Sequence, residues 1–159
     1  MHLRHHAVMF LATGCYAGRV PVAPGTVGSL VAFPIVYALT FCPWPMAMAA
    51  VVLMALAAVW IAGQAERQLA HRDPGSVVID EIVGMCVALL AIPLTLTTGL
   101  AGFLLFRLFD IVKPQPIRFF DRRLDGGWGI VMDDVAAGIA ANIVLRIGIW
   151  LWPKMLTVF

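Results

Sequence analysis

The chain has 159 residues and is predicted to form a single domain over 1–159, since this is the usual size of one. Hydrophobic residues make up 62% and charged residues only 13%, against about 25% charged residues in soluble domains. So few charged residues cannot cover the surface of an ordinary soluble domain. The net charge of +2 is too small to indicate nucleic-acid binding.

Apolar runs dominate the chain after a first segment that becomes rich in Gly and Pro. They show no period-2 alternation, which favours helices over strands, and a segment in lipid must satisfy its own backbone hydrogen bonds. We therefore predict an all-α, compact helical bundle with several membrane-embedded helices. A soluble bundle of very apolar helices is the alternative. The runs are 28–41, 46–63, 82–94, 100–109 and 135–152.

The polar segments between the runs are predicted to lie on one side of a membrane. If each run crosses once, the turns 42–45 and 93–99 lie on the opposite side, and they carry no Lys or Arg. Lys and Arg favour the cytoplasmic side, so the protein is predicted to be multi-pass with a cytoplasmic polar face. The bases on this face are Arg19, Arg67, Arg72, Lys113, Arg118, Arg122 and Arg123.

Two segments, VIDEIVG (78–84) and VMDDVAAG (131–138), each place two adjacent acids at the predicted start of an apolar helix. Capping of the helix dipole explains one acid per helix but accounts poorly for two. Four converging carboxylates would repel one another, and a divalent cation such as Mg²⁺ would relieve that repulsion. We therefore predict a metal site. Its acids are Asp80, Glu81, Asp133 and Asp134.

Arg107, Asp110 and Lys113 share a broad face near the end of the fourth predicted helix. The two bases suit a helix end that reaches toward the membrane surface, but an acid there opposes the helix dipole. A role for Asp110 in ligand binding or orientation is therefore indicated. Thr26 and Ser29, in the loop PVAPGTVGSL, precede a predicted helix N-terminus that either binds phosphate or forms an ordinary turn.

Three blocks of the sequence resemble the phosphatidylglycerophosphatase A family: PVAPGTVGSL (21–30), DPGSVVIDEIVGM (73–85) and FRLFDIVKPQPIRFFDRRLDGGWGIVMDDVAAG (106–138). The resemblance implies a helical bundle with a central helix surrounded by others, in the bacterial inner membrane. It also implies Mg²⁺-dependent removal of the terminal phosphate from phosphatidylglycerophosphate. The family's acidic positions carry over, as catalytic and metal-binding residues, to Asp80, Glu81, Asp110, Asp133 and Asp134.

The substrate phosphate is expected to contact Arg107 and Lys113, with Thr26 and Ser29 adding phosphate or headgroup contacts. Attack by an activated water and formation of an aspartyl-phosphate are both open as mechanisms. The alternative function is a small membrane transporter that uses the acids as ion sites. It predicts acids within the spans, whereas these acids cluster at one face. The sequence leaves the oligomeric state open.

Overall fold

The computed structural model describes residues 2–71, 74–115 and 124–156. Within those ranges the chain forms helices and no strands, so the predicted all-α class is confirmed. Two 3₁₀ turns, Ala17–Arg19 and Pro153–Leu156, accompany the α-helices. The α-helices are α1 His2–Ala12, α2 Pro24–Val31, α3 Phe33–Leu39, α4 Trp44–Leu69, α5 Ile79–Ala88, α6 Leu96–Val112 and α7 Gly127–Leu151.

The short helix α5 lies at the centre of the bundle. It packs most extensively against α7, and also against α2, α3, α4 and α6. Its residues from Ile82 to Cys86 are all buried, because an apolar helix surrounded by others presents no polar face. The central helix implied by the family resemblance is therefore present.

Two glycines allow α5 and α7 to approach closely. A Cβ at Gly138 would overlap the carbonyl oxygen of Gly84, and a Cβ at Gly84 would lie 2.8 Å from the carbonyl oxygen of Asp134. Each glycine lies four residues after an acid of its own helix, Asp80 or Asp134. The contact therefore sets the separation of the two helices one turn away from those acids.

The boundaries of α4 and α7 differ from the prediction. α4 continues to Leu69, because the Gln, Ala, Glu and Arg residues after its apolar run are good helix formers. α7 begins at Gly127, where a side chain would overlap the Val59 carbonyl of α4. The prediction that Asp133 and Asp134 lie at a helix start is therefore wrong, since they follow almost two turns of helix.

The first apolar run also differs from the prediction, since it contains two short helices that meet at Ala32. The break precedes Pro34, which cannot donate within a continuing helix and instead occupies the first turn of α3. α5 has 10 residues and is about 15 Å long, half of a bilayer core of about 30 Å. Neither this helix nor the first run crosses a bilayer as one regular helix.

By length and composition, one helix among the described residues, α4, could cross a membrane. Large apolar side chains cover the outside of the bundle, including Leu53, Leu104 and Trp150, which are 66%, 65% and 80% exposed. These surfaces are consistent with association of the chain with a membrane. Arg72, Arg118, Arg122 and Arg123, which were predicted to lie on the polar face, fall outside the described residues.

Candidate active site

The N-terminus of α5 carries Asp80 and Glu81 in its first turn, as predicted. The turn begins where the Val78 amide donates to the Ala12 carbonyl oxygen at 2.8 Å, which joins α5 to the end of α1. Asp80 is buried, and the Glu81 side chain is only 16% exposed. The positive end of the helix dipole favours both carboxylates, but burial removes their hydration.

α6 contributes Arg107 and Asp110 from its last two turns. The Nη1 atom of Arg107 lies 2.6 Å from Oδ2 of Asp110 and 4.0 Å from Oε1 of Glu81. The guanidinium therefore connects α6 to α5 at a point where all three side chains are largely buried. Asp110 is tolerated near the C-terminus of its helix because a cation one turn earlier pairs with it.

Asp134 of α7 completes a group of three acids. Carboxylate oxygens of Asp80, Glu81 and Asp134 all lie within 4.8 Å of one another. Asp134 is 3% exposed, because the close approach of α5 and α7 encloses it. Three carboxylates at this separation, with water largely excluded, match the hard oxygen ligands that a divalent cation such as Mg²⁺ prefers.

Asp133 points to a different partner. Its Oδ2 atom lies 2.5 Å from Nζ of Lys113, and its Oδ1 atom accepts the backbone amide of Asp134 at 3.0 Å. Asp133 does not belong to the group of three acids. Lys113 follows α6 directly, so this ion pair joins the end of α6 to α7 beside the acids.

Folding raises the pKa of the Glu81 and Asp134 carboxyls. Both residues lie just outside the predicted apolar runs. For Glu81 the main cause is burial, which the Asp80 hydrogen bond opposes and the charge of Asp110 reinforces. For Asp134 the main cause is again burial, followed by the charges of Asp110, Glu81 and Asp133. The folded site thus disfavours the ionised form of its acids, and a bound cation would stabilise that form.

Two buried polar atoms at the site indicate that a further charged group could bind there. Oε2 of Glu81 and Nε of Arg107 have no hydrogen-bond partner within the described part of the chain. An unpaired buried carboxylate oxygen costs free energy unless a cation or a donor satisfies it. The residues present therefore fit a metal ion on the acids and an anion on the guanidinium.

The first turn of α2 reaches the site through Gly25 rather than through a hydroxyl. A Cβ at Gly25 would overlap Oε1 of Glu81 and lie 3.1 Å from Nη1 of Arg107. Ser29 is fully buried, and its hydroxyl donates to the Gly25 carbonyl oxygen at 2.8 Å. Thr26 is partly buried in the first turn of α2. Substrate binding by Thr26 and Ser29 stays a prediction.

The contact between Gly25 and Glu81 and the ion pair between Lys113 and Asp133 are features that sequence reasoning missed. The small residues of the PGTVGS segment were a signal for the first, because a backbone that approaches a buried carboxylate needs glycine. For the second the sequence held no signal, since 20 residues separate the partners and α7 begins earlier than predicted.

Comparison with known proteins identifies the family. The model of the family described as "Phosphatidylglycerophosphatase A" matches residues 10–149. The chain belongs to this family. The match covers every helix that contributes an acid to the site, so the family resemblance drawn from the three sequence blocks is confirmed.

Relatives with established names cover most of this member of the phosphatidylglycerophosphatase A family. "Phosphatidylglycerophosphatase A" of Escherichia coli (strain K12) is 43% identical over 145 residues, which are 90% of this chain and 84% of that protein. The Haemophilus influenzae protein of the same name is 40% identical over 140 residues, 87% of this chain and 86% of that protein. No solved structure gives a significant match.

A third relative carries a different name. "Putative phosphatidylinositol-3-phosphatase" of Bacteroides thetaiotaomicron is 40% identical over 151 residues, which are 89% of this chain and 93% of that protein. Both names describe removal of a phosphate monoester from a phospholipid headgroup. Relatives at similar sequence identity to this chain therefore carry names that refer to two different lipid phosphates.

Proposed function

We propose that this protein hydrolyses the terminal phosphate monoester of phosphatidylglycerophosphate, yielding phosphatidylglycerol and phosphate in phospholipid biosynthesis. Family membership supports this reaction class, and the observation that carries the site assignment is the group of three buried carboxylates beside Arg107. Uncatalysed hydrolysis of a phosphate monoester is among the slowest biological reactions, so strong stabilisation of charge is required. A site with acids for a cation and a guanidinium for phosphate supplies both kinds of charge.

Mg²⁺ is the proposed cofactor, held by Asp80, Glu81 and Asp134, with Asp110 and Asp133 beside it. When bound, the ion would polarise the phosphate and lower the pKa of a water molecule. Burial of the acids keeps competing water away and holds their oxygens within 4.8 Å of one another. Their close spacing thus suits a small, hard cation.

Arg107 is proposed to bind the phosphate of the substrate. Its planar guanidinium offers several donors and already lies between Glu81 and Asp110, where Asp110 fixes its orientation. Lys113 also lies at this end of α6, and its pairing with Asp133 neutralises that acid. We propose that Lys113 also contacts the phosphate, as a point charge whose position Asp133 fixes.

Measurement of released phosphate tests this function. The purified protein would be supplied with phosphatidylglycerophosphate, with and without Mg²⁺, and with phosphatidylinositol 3-phosphate as the second candidate substrate. We expect Mg²⁺-dependent release from phosphatidylglycerophosphate and loss of release in Asp80→Asn, Asp110→Asn and Asp134→Asn. Full activity in all three variants would contradict the assignment of the site. Full activity in EDTA would contradict the cofactor. Faster turnover of the phosphoinositide would change the assigned substrate.

The two mechanisms differ in whether phosphate becomes attached to the protein. An aspartyl-phosphate intermediate would place label on one of the site's aspartates after acid quenching of a reaction with labelled substrate. Direct attack by water would leave the protein unlabelled at every time point. The same quench with the Asp134→Asn variant shows whether any label depends on the acid group.

We further propose that the protein crosses the bacterial inner membrane several times, with the acids on the cytoplasmic side. Two exposed cysteines allow a test without new residues. Cys15 lies near the N-terminus of α5, whereas Cys42 lies between α3 and α4 at the opposite end. A membrane-impermeant maleimide should label Cys42 in intact cells and Cys15 only after lysis. The reverse pattern would invert the orientation.

A further inference from the structure

An apolar groove lies between α4 and α7, beside the end of α5, and has a volume of about 470 Å³. Met48, Val52 and Ala55 line one wall, and Val135, Ile139 and Ile143 line the other. Each set recurs at intervals of three or four residues and so forms one face of its helix. The volume lies within the range typical of sites for small molecules.

The groove has the length of one membrane leaflet. Along α4 it extends from Trp44 to Ala55, and along α7 from Arg146 to Val135. A rise of eleven residues along each helix gives a groove length of about 16 Å, and half of a bilayer core is about 15 Å thick. The contact of Gly127 with α4 near Gly63 makes the two helices antiparallel, so Trp44 and Arg146 lie at the same end of the groove, away from the acids.

Arg146 is a cation without an acidic partner among the described residues. Its Nε donates to Oδ1 of Asn142 at 2.7 Å, and its Nη2 donates to the carbonyl oxygens of Leu90 and Ala91 at 3.0 and 3.2 Å. These acceptors carry no formal charge. The side chain is exposed on a stretch of α7 that is apolar except for Asn142, and a charged side chain on such a stretch often marks a binding site.

We propose that this groove binds one anionic phospholipid from the leaflet opposite the acid group. Its phosphate pairs with Arg146, and one acyl chain lies along the groove toward Val135. Charge complementarity selects an anionic headgroup, and the length and apolar lining of the groove select a single acyl chain. The proposal rests on the membrane-spanning placement proposed above and is independent of the reaction at the acids.

Lipid retention in detergent, counted by native mass spectrometry, tests the proposal. The full chain would be titrated in EDTA with phosphatidylglycerol or phosphatidylcholine. We expect one retained phosphatidylglycerol, with affinity about fivefold higher than for phosphatidylcholine, since one interfacial Arg favours an anionic lipid by roughly that factor. Arg146→Gln should abolish the preference, and Ile139→Trp should abolish retention of both lipids by filling the groove.

Two variants act as controls. Leu104→Trp adds the same ring to an exposed position on α6 and should leave retention unchanged. Asp134→Asn should also leave it unchanged, which separates this lipid from one held at the acids. Ile139→Trp keeps the hydrogen bonds that Arg146 donates to Leu90 and Ala91 after α5, so it tests the groove even if Arg146→Gln fails to fold.

Several outcomes would overturn the proposal. Equal affinity of the wild-type protein for the two lipids would exclude selection by charge. Unchanged retention in Arg146→Gln and Ile139→Trp would exclude the groove. Loss of retention in Asp134→Asn would place the lipid at the acid group. A dimer that persists without lipid and dissociates in Ile139→Trp would identify the occupant as a second copy of the chain.

Discussion

Removal of one charge from the acid group should stabilise the protein in the absence of metal while abolishing its response to Mg²⁺. In Asp134→Asn an amide replaces a buried carboxylate whose oxygens lie within 4.8 Å of those of Asp80 and Glu81. At that distance, and at an effective dielectric constant of about 20, two like charges repel by about 3 kcal/mol. For a chain of this size, each 1 kcal/mol shifts the midpoint of thermal unfolding by about 2–4 °C.

The sign of the effect depends on pH. Because folding raises the pKa of Asp134 and Glu81, the folded state holds more protons than the unfolded state between the ordinary and the raised pKa values. The stability of the metal-free wild-type protein should therefore fall as the pH rises through that window. Asp134→Asn removes one of the two titrating groups, so its stability advantage over the wild-type protein should be large at a pH above that window and small at a pH below it.

Thermal unfolding in detergent, in EDTA or in Mg²⁺ and at both pH values, measures these effects. Mg²⁺ should stabilise the wild-type protein more at the higher pH, since its ligands must lose their protons, and should stabilise Asp134→Asn little. Asp125→Asn, at an exposed position just before α7, is the matched control and should stay within about 0.5 kcal/mol of wild type. The reasoning would be refuted if metal-free Asp134→Asn were less stable than wild type at the higher pH.

Three further substitutions test contacts around the site. Gly25→Ala should lower activity at least about tenfold by displacing the adjacent carboxylate, whereas Gly75→Ala, which meets no atom within 4 Å, should be neutral in the same phosphate-release assay. Lys113→Gln should cost about 3 kcal/mol in urea unfolding because it leaves Asp133 buried without its cation; equal stability of Lys113→Gln and Lys113→Arg would contradict this. Asn142→Leu should cost about 1–3 kcal/mol because the Ala88 carbonyl group loses its side-chain donor, and an unchanged unfolding midpoint would count against it.

The sequence predicted the helical class and the convergence of the acids, four of which lie close together in the structure, and it did so for identifiable physical reasons. Apolar runs without alternation exclude strands, and repeated acid pairs in a chain with so few charges point to one shared site. The structure brings Asp80, Glu81 and Asp134 together, with Asp110 alongside. Asp133 shares the same motif but faces Lys113, and only the rotation of α7 about its axis determines which adjacent acid faces inward.

The boundaries of the helices were harder to predict because tertiary contacts determine them. Glycines normally disfavour a helix, yet Gly127 and Gly129 belong to α7, where close packing of its start on α4 outweighs their low propensity. The division of the first apolar run at Ala32 had a local signal in Pro34. The small residues around Gly25 indicated a close approach of the backbone but not its partner, which is a carboxylate 56 residues later in the chain.

The hydrogen bonds from α7 to the end of α5 have a consequence for the order in which the protein matures. Asn142 and Arg146 donate to the carbonyl groups of Val87, Ala88, Leu90 and Ala91, which lie more than 50 positions earlier in the chain. Within lipid, each such carbonyl without a donor costs several kcal/mol. During synthesis α5 emerges long before its donors, so it should stay at the membrane surface or inside the insertion machinery. It would enter the bilayer together with α7, as the final step that assembles the acids.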